Sequence, residues 1–265
     1  QAVHMNRTLK LNAGGTFENI IGGSGNDILT GNSLDNSFTG NAGNDAMTGA
    51  AGNDILFGGL GDDTYVFHTA SSAEADTVME ETNQGTDKLS FASLTTALTL
   101  NLNSSLVQAV HTNRTLKLNA GNTFENIVGG SGHDILTGNS LDNSFTGNAG
   151  NDTMTGGGGN DTYVFGPASV AEADIVAEGA NQGSDTLSFE LLPSSVTLNL
   201  NSNLVQAVHT NRTLKLSSGS TFENIIGGSG NDRLTGNSLN NTLNGYEGDD
   251  VLSGGDGNDT LNAGA

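Results

Sequence analysis

Aspartate recurs on a fixed ruler. Asp27, Asp45, Asp54 and Asp63 each take the sixth place of a nine-residue unit, and so do Asp134, Asp152, Asp161, Asp232, Asp250 and Asp259. Carboxylates can work as acid and base pairs, close turns or hold cations, and here the spacing chooses among these. If two units form one coil, residues 18 apart lie one above the other, so Asp27 faces Asp45, Asp45 faces Asp63, Asp134 faces Asp152 and Asp232 faces Asp250. Like charges about 5 Å apart at an effective dielectric near 20 repel by about 3 kcal/mol, and directly opposed like charges are disfavoured in sheets. A divalent ion between coils removes the conflict. A turn alone would be served better by uncharged Asn.

Composition narrows the ion. The 265 residues carry a formal charge of −21 and no cysteine, which makes nucleic acid a poor partner and leaves hard oxygen ligands in place of thiolates. Calcium accepts six to eight oxygens at about 2.3–2.6 Å from mixed carboxylates and carbonyls, whereas magnesium holds its waters and fits poorly. No apolar run is long enough for a membrane span, and no signal-peptide pattern is visible at the start. Thirty-nine glycines and 5% aromatics imply a thin core.

The units themselves form three arrays, at residues 22–66, 129–164 and 227–262, thirteen nonapeptides in all. Position one is always Gly, and position eight is always large and apolar or aromatic, from Leu29, Phe38, Met47, Leu56 and Tyr65 to Leu252 and Leu261. One inward anchor per nine residues is the pattern of a solenoid. Recurrent Gly-Asn-Asp clusters exclude a helix, while short strands at positions seven to nine fit between turns. The fold class expected is all-β: a right-handed parallel β-roll or β-solenoid of stacked nonapeptide coils with less regular β spacers.

Residues 1–21 read as the end of a truncated spacer; complete spacers run over 67–128 and 165–226. Alternation places Leu98, Leu100, Leu102, Leu116 and Leu118 on buried faces. We read the spacers as irregular coils of one elongated solenoid, the alternative being small separate β domains. The motif QAVHxNRTLKL begins at Gln1, Gln108 and Gln206, offsets of 107 and 98 residues that differ by one nonapeptide. Neither end carries a recognisable cap, so the chain is expected to be part of a longer one or to be capped by stacked neighbours.

The units GGSGNDILT, GNAGNDAMT and GGLGDDTYV resemble the GGxGxDxUx nonapeptide of RTX (hemolysin-type) proteins. The resemblance implies calcium between successive loops on each edge. Its ligands would be the position-six aspartates of two stacked turns and loop carbonyls, here from Gly23, Gly25, Gly43, Gly61, Gly130, Gly132, Gly150, Gly228, Gly230 and Gly248. It also implies export by a type I route and folding when calcium is met outside the cell. The second unit of every array departs from the pattern: Leu34, Leu141 and Leu239 replace Gly, and Asn36, Asn143 and Asn241 replace Asp. Weak or absent calcium is expected where these Asn pair with Asp54, Asp161 and Asp259.

Six of the eight cationic residues, Arg7, Lys10, Arg114, Lys117, Arg212 and Lys215, lie in H-x-N-R-T-x-K segments with His4, His111 and His209. They read as a duplicated surface motif, an anion or glycan contact, or a salt-bridging edge. Spacer acids Asp76, Glu80 and Asp87, with Asp174, Glu178 and Asp185, suit turn ends or extra calcium better than a hydrolytic carboxylate pair. No nucleophile or zinc-protease motif occurs, so no catalytic residue is expected. The sequence therefore reads as a secreted, calcium-binding scaffold of the cell surface or matrix. Its partners would be calcium ions and either copies of itself, stacked end to end, or surface glycans. The alternatives are an adhesive or ice-binding face, or the export tail of a secreted hydrolase.

Overall fold

A unit with one large apolar side chain at position eight needs only a three-residue strand, because the middle residue points inward and its neighbours outward. The computed structural model describes residues 6–12, 15–82, 84–179, 182–217 and 221–264. Gln1 and His4 of the first QAVH motif lie outside the described residues. The chain divides into two compact units, Gln1–Val128 and Gly129–Ala265.

In the first unit the strands are β1 (Thr8–Lys10), β2 (Asn19–Ile21), β3 (Ile28–Thr30), β4 (Ser37–Ala42), β5 (Ala46–Thr48), β6 (Ile55–Leu60) and β7 (Thr64–Val66). The spacer adds β8 (Glu74–Met79), β9 (Lys88–Ser90), β10 (Thr99–Asn101), β11 (Gln108–His111), β12 (Arg114–Leu118) and β13 (Asn126–Val128). Alternate strands stack: β1, β3, β5, β7, β9 and β13 are neighbours in that order, and β2, β4, β6, β8 and β12 form the opposite face. Every pairing among these is parallel; only β11, folded back on β12, is antiparallel.

In the second unit the strands are β14 (Ile135–Thr137), β15 (Ser144–Thr146), β16 (Thr153–Thr155), β17 (Thr162–Val164), β18 (Glu172–Ala177), β19 (Thr186–Ser188) and β20 (Thr197–Asn199). They continue with β21 (Gln206–His209), β22 (Arg212–Leu216), β23 (Asn224–Ile226), β24 (Arg233–Thr235), β25 (Thr242–Asn244), β26 (Val251–Ser253) and β27 (Thr260–Asn262). The same alternation holds, with β15, β17, β19, β23, β25 and β27 on one face. The fold is all-β, a parallel β-roll.

Register gives the coil length. Leu29 pairs with Met47 and Phe38 with Leu56, 18 residues apart, so two nonapeptides make one turn. The spacers depart from this quantum in a fixed way: Leu56 pairs with Val78 after 22 residues, Tyr65 with Leu89 after 24, and Leu89 with Ile127 after 38. The second unit repeats those steps between Met154 and Val176, Tyr163 and Leu187, and Leu187 and Ile225.

The position-eight residues of both faces fill the core of the arrays, fully buried from Leu29 to Tyr65 and from Leu136 to Tyr163. Leu98, Leu100, Leu102, Leu116 and Leu118 are buried as the alternation predicts. Two anchors differ from expectation. Leu252 is half-buried and Leu261 is 48% exposed, because β26 and β27 are edge strands with no later strand stacked on them.

Candidate metal centre

Each Asn-Asp dipeptide braces the coils on both sides of it. At position five the side chain reaches forward: Asn26 Oδ1 accepts the N–H of Asn44 at 2.9 Å, and Asn44 Oδ1 that of Asp62 at 3.1 Å. At position six it reaches back. Asp45 Oδ1 accepts the N–H of Asp27, and Asp63 Oδ1 that of Asp45, both at 2.7 Å. Asp152 serves Asp134 at 2.9 Å and Asp250 serves Asp232 at 2.7 Å in the same way. The stacked aspartate pairs are therefore real ladders, with one oxygen of each carboxylate committed to the backbone.

The second oxygen is the informative one. Oδ2 of Asp45, Asp54, Asp63, Asp152, Asp161 and Asp250 is buried without a donor. A buried carboxylate oxygen left this way carries the full cost of lost solvation. These atoms gather at the position-one glycines. A methyl group on Gly22 would lie 2.7 Å from Asp27 Oδ2 and 2.6 Å from the Gly40 carbonyl oxygen; on Gly40 it would overlap Asp45 Oδ2 and lie 2.6 Å from the Gly58 carbonyl. A carboxylate and a carbonyl from the next coil thus converge on one spot, an all-oxygen donor set that fits calcium.

Burial sets the electrostatics. It pushes the carboxyls of Asp54, Asp63, Asp87, Asp152 and Asp161 up to about 7, and Asp45 up to about 6, with neighbouring carboxylates adding to the rise. Backbone N–H donors act in the opposite direction and are outweighed. A bound divalent cation would supply the charge that keeps these groups ionised.

The sequence-predicted aspartates Asp27, Asp45, Asp54, Asp63, Asp134, Asp152, Asp161 and Asp232 are buried, while Asp250 and Asp259 in the last coil are half-buried. Gly23, Gly130 and Gly228 donate their N–H to Oδ2 of Asp27, Asp134 and Asp232 at 2.6–2.8 Å. Position-four glycines stack carbonyl upon Cα: Gly25 under Gly43, Gly43 under Gly61, Gly132 under Gly150 and Gly230 under Gly248. Gly43 has φ +112°, a left-handed conformation that glycine adopts without a Cβ penalty. At position one the glycine has no positive φ and provides room for oxygens. The carbonyls that converge with the aspartates there are those of Gly40 and Gly58.

Side-chain amides close the GNSL loops. Asn36 Oδ1 accepts the N–H of Asn32 at 2.9 Å, and Asn32 Oδ1 that of Leu34 at 2.8 Å. Asn241 Nδ2 donates to the Glu223 carbonyl at 3.0 Å, and Asn241 Oδ1 accepts from Asn237 N–H at 2.8 Å. Asn143 accepts likewise from Asn139.

Spacer acids extend the ladders. Asp54 N–H donates to Asp76 Oδ1 at 3.0 Å, Asp63 N–H to Asp87 Oδ1 at 2.9 Å, and Asp87 N–H to Glu125 Oε2 at 2.7 Å. Asp174, Asp185 and Glu223 do the same in the second unit. The signal was available: each acid stands two residues before a buried apolar residue, as in Asp76 with Val78, Asp87 with Leu89 and Glu125 with Ile127.

The arginines correct the surface-motif reading. Arg114 and Arg212 are 3% exposed, and each pairs with two spacer acids, Arg114 with Glu74 and Asp76, Arg212 with Glu172 and Asp174. Of the readings offered, the salt-bridging one describes them, and the acids belong to the same spacer. Lys117 and Lys215 remain exposed.

The profile of the RTX calcium-binding nonapeptide repeat (4 copies) matches residues 12–33, 30–65, 119–140, 128–163, 218–238 and 235–265, together more than half of the chain. A comparison with curated proteins finds no match. Among the described residues no helix is long and apolar enough to cross a membrane. Loop geometry, donor chemistry and profile agree on the ion, which is calcium. The chain belongs to the RTX calcium-binding nonapeptide-repeat family.

Proposed function

We propose that this chain is a secreted structural repeat protein, a scaffold of the cell surface or matrix whose arrays fold when calcium is met outside the cell. The reading rests on the buried, donorless Oδ2 atoms stacked coil upon coil, which make the calcium-free arrays electrostatically costly. Asp27, Asp45, Asp54, Asp63, Asp134, Asp152, Asp161, Asp232, Asp250 and Asp259 are the carboxylate ligands. Backbone carbonyls from the glycine loops complete the shells. Calcium here is structural: it neutralises the ladders and ties each coil to the next, so binding and folding are one event.

Extracellular calcium modules commonly bind at about 10⁻⁴ to 10⁻³ M, which keeps such a chain unfolded in calcium-poor cytosol and folds it on export. Circular dichroism of the full chain in millimolar calcium and in excess EGTA tests this. Reversible loss of β signal in chelator is expected, and β content that ignores chelator would refute the reading.

A further inference from the structure

Where each nonapeptide array hands over to its spacer, three acids from different segments meet. Ligand oxygens of Asp63, Glu80 and Asp87 all lie within 4.8 Å of one another and all three residues are buried; Asp161, Glu178 and Asp185 repeat the arrangement in the second unit. Two oxygens on opposite sides of a calcium ion are about 4.6–5.2 Å apart, twice the usual bond length, so the cluster has the span of one coordination shell.

A second observation points to a ligand. Asp63 Oδ2 has no partner although the residue is 0% exposed, and in the second unit Asp161 Oδ2 and Glu178 Oε2 have no donor. These oxygens aim at one place: a methyl group on Gly58 would run into Asp63 Oδ2 and Glu80 Oε1 together and lie 2.5 Å from the Tyr65 hydroxyl. Tyr65 is hydrogen-bonded to Glu80 and accepts the Gly58 N–H at 2.6 Å, which fixes the Glu80 carboxylate over the spot. The nearby arginines offer no neutralisation, because among the described residues their ion pairs are confined to Glu74, Asp76, Glu172 and Asp174.

We propose that Asp63, Glu80 and Asp87, and likewise Asp161, Glu178 and Asp185, hold a calcium ion at the junction of array and spacer. This goes beyond the inter-loop ions, since two of the three carboxylates in each copy stand outside the nonapeptides. The junction is where coil length jumps from 18 residues to 22 and 24. An ion there fixes the irregular coil to the regular one.

Tyrosine-sensitised terbium luminescence reads these sites directly. The chain has three tyrosines and no tryptophan, so in a Tyr246→Phe background only Tyr65 and Tyr163 remain to transfer energy to bound terbium(III). Saturating emission is expected, with Glu80→Gln plus Glu178→Gln cutting it at least about fivefold and lowering the calcium count by two in titration calorimetry. Unchanged emission and count in that variant would overturn the proposal. If the double variant does not fold in calcium, the single variants are read instead: each losing about half the emission supports the site, and neither losing any overturns it. Folding of the parent in calcium is scored separately, so failure of the scaffold reading is distinguishable.

Discussion

Asp45 Oδ1 accepts the N–H of Asp27 at 2.7 Å while Asp45 Oδ2, equally buried, meets no donor. The two oxygens of one carboxylate therefore do different work, and substitutions separate them. Asp45→Asn keeps an acceptor for Asp27 but removes the charge, so it is expected to lower the calcium count and raise the calcium midpoint of folding with little change in fully loaded stability. Asp45→Ala also loses the hydrogen bond, a further cost of about 0.5–1.5 kcal/mol. Calcium titrations followed by circular dichroism and calorimetry check both; an unchanged count in Asp45→Asn would count against the ladder.

Acid should replace calcium in part. The folded carboxyls of Asp54, Asp63, Asp87, Asp152 and Asp161 lie at about 7, and those of Glu80 and Glu178 at about 8, because burial penalises the charged form. A carboxyl whose folded pKa exceeds its unfolded value takes up a proton on folding. The calcium-free fold is therefore favoured at low pH and loses stability as pH rises from about 4 to about 8. In EGTA, β signal is expected near pH 4.5 and should fade towards pH 8. A signal that grows with pH would contradict the assignment.

Arg114 lies between Glu74 and Asp76 and over the Phe67 ring, 5.3 Å from its centroid. Arg114→Met strands two buried carboxylates and is expected to cost about 3–5 kcal/mol in saturating calcium, measured by urea unfolding. Lys117→Met, at an exposed site on the same strand, should change stability by no more than about 0.5 kcal/mol.

Asn36→Asp tests the amide-closed loops. Asn36 Nδ2 donates to the Glu18 carbonyl at 3.4 Å, which a carboxylate cannot do. Leu34 still occupies the place of the position-four glycine, so the single change is expected to lower the melting temperature without adding an ion. Rebuilding the unit with Asn32→Gly, Leu34→Gly and Asn36→Asp together should add one. Calorimetric stoichiometry decides between the outcomes.

The nonapeptide coils were legible because their determinants are local and periodic. Gly at position one, Asp at six and an apolar residue at eight predict strand, coil length and ladder, and Leu29 on Met47 follows directly. The spacers were less legible because coil length there depends on aperiodic loops. The hairpin of β11 on β12, with Gln108 opposite Leu116, lengthens one coil without leaving a nine-residue trace. Arg114 was ambiguous in the sequence for a related reason. On its own strand it alternates with Leu116 as an inward residue, but a charged side chain reads as exposed until Glu74 and Asp76 are brought beside it by a 40-residue step.

That arginine has a meaning for how the molecule responds to its surroundings. Asp76 continues the Asp54 ladder, and its Oδ2, the atom left without a donor in Asp54 and Asp45, is held by the Arg114 guanidinium. An ion diffuses away when its concentration falls, whereas a guanidinium is tethered to the chain. Arg114 and Arg212, 98 residues apart, thus hold their buried acid pairs whatever the calcium concentration outside.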